Sequence, residues 1–240
     1  MNDSHSRGDS GAGPASPRRS KQPNAVGPGR PKDPAKRAAI LDAARTLFLQ
    51  DGFDGVSMDQ IAAVATVSKL TVYSHFGDKE KLFAAAVASY CEQQVPHALF
   101  ERSSGVHLRD RLLEIAHAFH TMASSAEAIS ALRMLSAPQL AGSPVVTTFW
   151  DAGPARINEE LTTLLQRRAA SGELRLDPGD ETALSRAASQ LLALLKGDAH
   201  ARLLLGLEGL AEDDVAVHVA SAVDMFLRAY GAADPRTPQP

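Results

Sequence analysis

Residues 57–83 read SMDQIAAVATVSKLTVYSHFGDKEKLF. The capping residues in this stretch spell out short helices with a tight break between them. Ser57 stands at a helix start with Gln60 three residues on, the pattern of a capping box, and Ile61 and Ala65 then share one inward face. The apolar pattern breaks at Thr66-Val67-Ser68, and Ser68 caps a second helix. In that helix Val72 and Phe76 face inward, while Lys69, Leu70, Tyr73 and Ser74 are left outside. Gly77-Asp78 closes the unit and caps the next helix, whose apolar face is Leu82, Phe83, Ala86, Val87 and Tyr90; Pro96 ends or kinks it. Upstream, Asp33-Pro34 joins a capping residue to a proline at the first helical position. Ile40, Leu41, Ala44, Leu47 and Phe48 follow at helical spacing, and Gly52 stops that helix.

Two short helices joined by a tight turn can set the second one into the major groove of DNA. Lys69, Leu70 and Thr71 occupy the first turn of that helix. Lys69 suits guanine O6 or N7, and Leu70 or Thr71 suits a thymine methyl. Tyr73 and His75, with Ser74 on the same outer face, are placed for phosphate oxygens. Lys79 and the amides around Ser57 are placed for flanking phosphates. A three-helix packing unit without a nucleic-acid role is the competing reading, but it leaves the exposed Lys-Leu-Tyr-Ser-His surface without a purpose.

The segment Ile40–Phe83, with its core VSxxTVYxHFxxKExLF, resembles the TetR family of bacterial transcriptional regulators. Gly29-Arg30-Pro31-Lys32 resembles the basic arm often found before the first helix of that family, so Arg30 and Lys32 are expected to neutralise minor-groove phosphates. Two positions depart from the pattern. Thr66 stands where the turn usually carries glycine, and Leu70 stands where small residues are common. If Thr66 is left-handed it costs about 1–2 kcal/mol. An exposed Leu70 would make operator choice particular to this protein.

The rest of the chain looks different. From Met1 to Phe83 there are 12 Lys and Arg against 9 Asp and Glu; from Ala84 to Pro240 there are 13 against 19. A basic leading part on an acidic body points to a polyanion partner at one end only. Hydrophobic residues form 44% of the chain and aromatics only 5%, a balance that favours helices over sheets. Residues 1–29 lack any periodic apolar pattern and are expected to be a disordered basic tail, as is 231–240. A helix-turn-helix domain is expected over 33–93, with its motif at about 56–75, and a helical body over 94–230. Body helices are expected near 107–124, 126–136, 144–171, 178–205 and 212–230, with Asp177-Pro178 as a strong helix start. The single cysteine, Cys91, allows no internal disulfide and reads as a small core residue; a reducing cytoplasm fits it. No apolar run reaches the roughly 20 residues of a membrane span.

The resemblance implies an all-α chain: an N-terminal three-helix, helix-turn-helix DNA-binding domain, then a helical bundle that binds a small molecule and dimerises. Residues 132–140, 149–157 and 191–207 are similar to an AefR-like subgroup. The expected partners are a palindromic double-stranded operator, a small-molecule effector and a second copy of the chain, with no membrane. Pocket candidates are Phe119, His120, Met122, Met134, Phe149 and Trp150, with plain core packing as the alternative for each. Dimer candidates are Leu184, Ala188, Leu191, Leu195, Val219, Val223 and Phe226, some of which must be intramolecular core. His117 and His120 are too few for a metal site, and no cofactor is expected. No nucleophile elbow, phosphate loop or metalloprotease motif is present, so no catalytic residue is expected. The leading expectation is a ligand-responsive repressor; the alternative is a small-molecule sequestering protein with weak or no specific DNA binding.

Overall fold

The computed structural model describes residues 33–101 and 105–232. Arg30, Lys32, the expected tail 1–29 and residues 233–240 lie outside the described residues. Helix α1 (Pro34–Gly55) is capped by the Asp33 carboxylate, which accepts from the Ala35 amide at 3.0 Å. Its regular part stops at Gly52, which adopts a φ of 73° that other residues resist. Helices α2 (Met58–Val64), α3 (Lys69–Phe76) and α4 (Lys79–Gln94) follow, each with a side-chain cap. The capping box is present in full: the Ser57 amide donates to Gln60 Oε1 at 2.7 Å, and the Gln60 amide donates to Ser57 Oγ at 3.3 Å.

The turn between α2 and α3 pivots on Thr66, the one non-glycine residue with positive φ (52°) among the described residues. A β-branched side chain is poorly suited to that backbone. Thr66→Gly is therefore expected to raise stability by about 1 kcal/mol, relief of left-handed strain outweighing the added unfolded-state entropy. The midpoint of urea unfolding checks this; a lower midpoint would show that the Thr66 hydroxyl, which donates to the Ala65 carbonyl at 2.8 Å, matters more than the strain.

The body comprises α5 (Leu108–Ala123), α6 (Ala126–Leu135), α7 (Pro144–Trp150), α8 (Arg156–Ala170), α9 (Glu181–Leu204) and α10 (Glu212–Tyr230). No strand forms among the described residues; there is one isolated bridge between Leu174 and Gly231. The helix expected over 144–171 is helical from Pro144 to Ala170, with one wide π-type turn at Asp151–Ala155 around Pro154, which has no amide to donate into the helix. The Asp177-Pro178 start is corrected. The Asp177 carboxylate accepts from the Gly179 amide to make a turn, and Asp180 is the cap of α9, accepting from the Ala183 amide at 2.9 Å. Residues 231 and 232, expected within the tail, are described and tied to the body. The Ala232 amide donates to the Glu173 carbonyl at 3.0 Å and the Arg175 amide to the Tyr230 carbonyl at 2.7 Å.

Two apolar cores form. The first joins α1–α4 through Ile40, Phe48, Ile61, Val72, Leu82 and Phe83, and also takes Leu135 and Val145 from the body. The second runs through α5, α8, α9 and α10. Helix α4 belongs to both, since Leu82, Phe83 and Ala86 sit in the first core and Cys91 in the second. The residues expected at a dimer surface are corrected here. Leu184, Ala188, Leu191, Leu195, Val219, Val223 and Phe226 are each at most 2% exposed and hold α9 and α10 inside the single chain. A side chain already buried within its own chain has no surface to give a partner.

Helix α9 is broken within its length by Gly197, with φ 54° and ψ −163°. The freed Leu195 carbonyl accepts from His120 Nδ1 at 3.2 Å and from His218 Nε2 at 3.0 Å. A carbonyl only accepts, so His120 carries its proton on Nδ1 and His218 on Nε2 in this arrangement.

Candidate functional site

The outer face of α3 meets solvent. Leu70 is 79% exposed and Tyr73 41%, both unusual for such large side chains, and Lys69 and Ser74 are exposed beside them. Beneath them Val72 and Phe76 are buried and fix the helix on the first core. The sequence candidates on this face differ in how free they are. Thr71 is half-buried, and its hydroxyl lies 2.8 Å from Ser68 Oγ, within the cap of its own helix. Ser74 Oγ donates to the Thr71 carbonyl at 2.8 Å. His75 is half-buried beside the Phe76 ring. Ser57 has both its amide and its hydroxyl engaged by Gln60. Leu70 and Tyr73 are the large apolar members of the set that face solvent.

Two lysines have partners that sequence reasoning missed. Lys69 Nζ pairs with Asp59 of α2 at 2.8 Å, which raises its pKa through that hydrogen bond. Lys79 Nζ donates to the Phe53 carbonyl at 2.9 Å and the Val56 carbonyl at 3.1 Å, and lies 4.4 Å from the Phe53 ring centroid. Lys79 therefore ties the start of α4 to the end of α1. An ammonium has three hydrogens, so one remains for an outside acceptor.

A second feature lies between the cores. A cavity of about 570 Å³ is bounded by α1, α4, α5, α6, α9 and the α7–α8 segment. Its walls are mainly apolar, with Phe48, Phe83, Val87, Met122, Leu132 and Leu192 among them. Of the sequence candidates, Phe119, Met122, Met134, Phe149 and Trp150 line it. Trp150 is 59% exposed, on the rim. His120 does not line it: the side chain is buried in the helix break of α9, 5.5 Å ring to ring from His218. Burial first, then neighbouring histidines, lower the His120 pKa. Cys91 also lines the cavity, and burial pushes its thiol up to about 11, as expected of an inert core residue.

Sequence reasoning missed the polar side of the cavity. Ser185, Ser189, Lys196 and His200 of α9 line it together with Asn158 of α8. Asn158 donates to Ser185 Oγ at 3.2 Å and accepts from Ser189 Oγ at 3.0 Å. The signal was present: 185, 189, 192, 196 and 200 recur at three- and four-residue spacing, one face of a helix.

Comparison with known proteins gives matches in both parts of the chain. A model described as "Bacterial regulatory proteins, tetR family" matches residues 40–86, and one described as "AefR-like transcriptional repressor, C-terminal domain" matches residues 110–232. The chain is 40% identical over 68 residues to the uncharacterized HTH-type transcriptional regulator YdeS of Bacillus subtilis, a match that spans 28% of this chain and only 34% of that protein. It is 26% identical over 145 residues to the HTH-type transcriptional repressor AcnR of Corynebacterium efficiens, covering 59% of this chain and 70% of that one. The solved structure of the flavonoid-responsive regulator FrrA is 28% identical with a TM-score of 0.62, over 84% of this chain and 98% of that one.

Proposed function

The chain belongs to the TetR family of bacterial transcriptional regulators, with an AefR-like C-terminal domain, and from this premise we propose that it holds a palindromic operator as a homodimer and releases it when a small molecule fills the cavity. It is a ligand-responsive DNA-binding regulator of the repressor type, and its family is one of regulators rather than enzymes. The observation that carries the reading is the outer face of α3, where Leu70 and Tyr73 stand exposed to solvent, 79% and 41%. Two such helices about 34–36 Å apart would meet successive major grooves.

The cavity supplies the control. Its volume falls within the usual range for small-molecule sites, roughly 300–1,000 Å³, and the relative FrrA is named for its response to flavonoids. Helix α4 is the mechanical link: Leu82 and Phe83 hold the DNA-reading unit, while Val87, Tyr90 and Cys91 line the cavity. A ligand that fits best when α4 is tilted away from the DNA-bound arrangement shifts the population toward release. For the dimer surface we assign the outward stripe of α10, Val217, Ser221 and Met225, at four-residue spacing and all exposed. No helix among the described residues is long and apolar enough to cross a membrane; a DNA partner would place the protein in the cytoplasm.

Fluorescence anisotropy with labelled DNA from the protein's own promoter region tests the reading. The protein is expected to bind it more tightly than scrambled DNA of the same length. Equal affinity for both would favour the sequestering alternative. The Lys69–Asp59 pair gives a second expectation, since Asp59 holds a negative charge on the face that must approach phosphates. Asp59→Asn is expected to tighten DNA binding roughly two- to fivefold, the scale of an exposed charge. Gel shifts at low and physiological salt check it; unchanged affinity would mean that Lys69 stays clear of the DNA.

A further inference from the structure

Among the described residues, the Lys196 ammonium stands on the cavity wall without a carboxylate partner. Lys196 of α9 is half-buried on the cavity wall, beside Leu192 and just before the break at Gly197. No carboxylate lies within ion-pair distance of its ammonium among the described residues, and burial alone moves its pKa, downward. Three acids, Glu127, Glu159 and Glu181, also line the cavity, but all three are exposed and solvated at its rim. Burial first, then the charge of Lys196, lower the pKa of His200, four residues on. Its Nδ1 is buried without a hydrogen-bond partner among the described residues. A buried ammonium without a counter-ion is costly, and natural interiors normally pair it. Here the missing partner is one the cavity can admit.

We propose that Lys196 is the anion-recognition residue of the effector cavity, and that the effector is an amphiphilic organic anion whose carboxylate or acidic phenolate pairs with Lys196 while its apolar body lies against Phe119, Met122, Leu132 and Phe149. A hydroxyl on the ligand could donate to His200 Nδ1, and Asn158 with Ser189 offers a polar contact across the cavity. An anion beside Lys196 also favours the charged ammonium, so binding restores what burial opposes. A cationic effector would meet Lys196 with like charge inside apolar walls, and the rim acids, screened by water, would offset little of that repulsion. The assignment rests on the effector-release reading above and names its ligand class.

Three matched probes test it: 2-naphthoate, its neutral amide 2-naphthamide, and the cationic 2-naphthylmethylamine. Binding to the full-length protein is read from quenching of Trp150 and confirmed by calorimetry. The naphthoate is expected to bind about tenfold more tightly than the amide, the scale of one charge-assisted hydrogen bond. Lys196→Met should abolish that preference, and Lys196→Arg, which keeps the charge, should retain it; circular dichroism shows that both variants remain folded. A Lys196→Met protein that still prefers the naphthoate overturns the proposal, as does a wild type that binds none of the three or binds the amine best. Release is scored separately by adding naphthoate to the wild-type complex with promoter DNA. Naphthoate that binds through Lys196 and leaves the DNA bound would uphold this assignment and refute the release reading.

Discussion

Tyr73→Ala is expected to weaken operator binding about a hundredfold while leaving the thermal melting curve almost in place. The side chain is 41% exposed and belongs to neither apolar core, so its loss costs little packing. Its ring stands 5.9 Å from Lys69 Nζ on the same outer face. A phenol that donates to a phosphate makes a hydrogen bond to a charged group, worth about 1.5–3 kcal/mol. A homodimer makes that contact twice, so at least about 3 kcal/mol is lost, which is roughly two powers of ten in affinity. Anisotropy with promoter DNA and a thermal scan of the same preparation check both halves. Unchanged affinity would mean that the face assigned to DNA is wrong. Lys79→Ala would make a poorer test, because removing its bonds to the Phe53 and Val56 carbonyls would loosen α4 from α1 as well as remove a phosphate partner.

The largest stability effect is expected at Gly197, where α9 breaks. Gly197→Ala places a methyl in a backbone conformation that L residues rarely adopt, and 2.9 Å from His218 Cε1. Backbone strain of this kind costs about 1–3 kcal/mol, and forcing an atom into packed surroundings costs a similar amount. A total of about 3 kcal/mol corresponds to a melting point lower by roughly 6–12 °C for a chain of this size. Far-UV circular dichroism on heating measures it. Adding His218→Ala should return part of the loss, because it removes the collision but not the strain. A single variant that melts within about 2 °C of the parent would show that α9 straightens without cost. The break also places Lys196 on its last regular turn, so the variant should bind cavity ligands differently.

The DNA-reading unit was legible almost residue by residue because its signals are local. Ser57 with Gln60, Ser68, Asp78 and Gly52 are capping and stop residues whose geometry depends on three or four neighbours, and the structure has each in that role. Thr66, suspect from its place in the turn, is the left-handed residue. The body was harder because periodicity reports an apolar face but not what covers it. The stripe Leu184, Ala188, Leu191 and Leu195 could meet a second chain or its own neighbours, and in the structure its own α5, α8 and α10 cover it. Lys79 and Lys69 carry the same ambiguity: a lysine near a DNA face can hold a phosphate, a carbonyl or a carboxylate, and only three-dimensional proximity separates these. His120 lay at the right spacing for a cavity residue, yet the break at Gly197, far away in sequence, drew it to the Leu195 carbonyl. The polar stripe of α9 went unread because its serines are weak signals one at a time.

A dimer of this chain that reads DNA through two copies of α3 should, when the purified protein selects bound duplexes from a random-sequence library, enrich an inverted repeat whose half-site centres lie one helical turn, about 10–10.5 base pairs, or a multiple of it apart. Recovery of no common sequence, or of a single unrepeated site, would show that the protein does not bind DNA in this way.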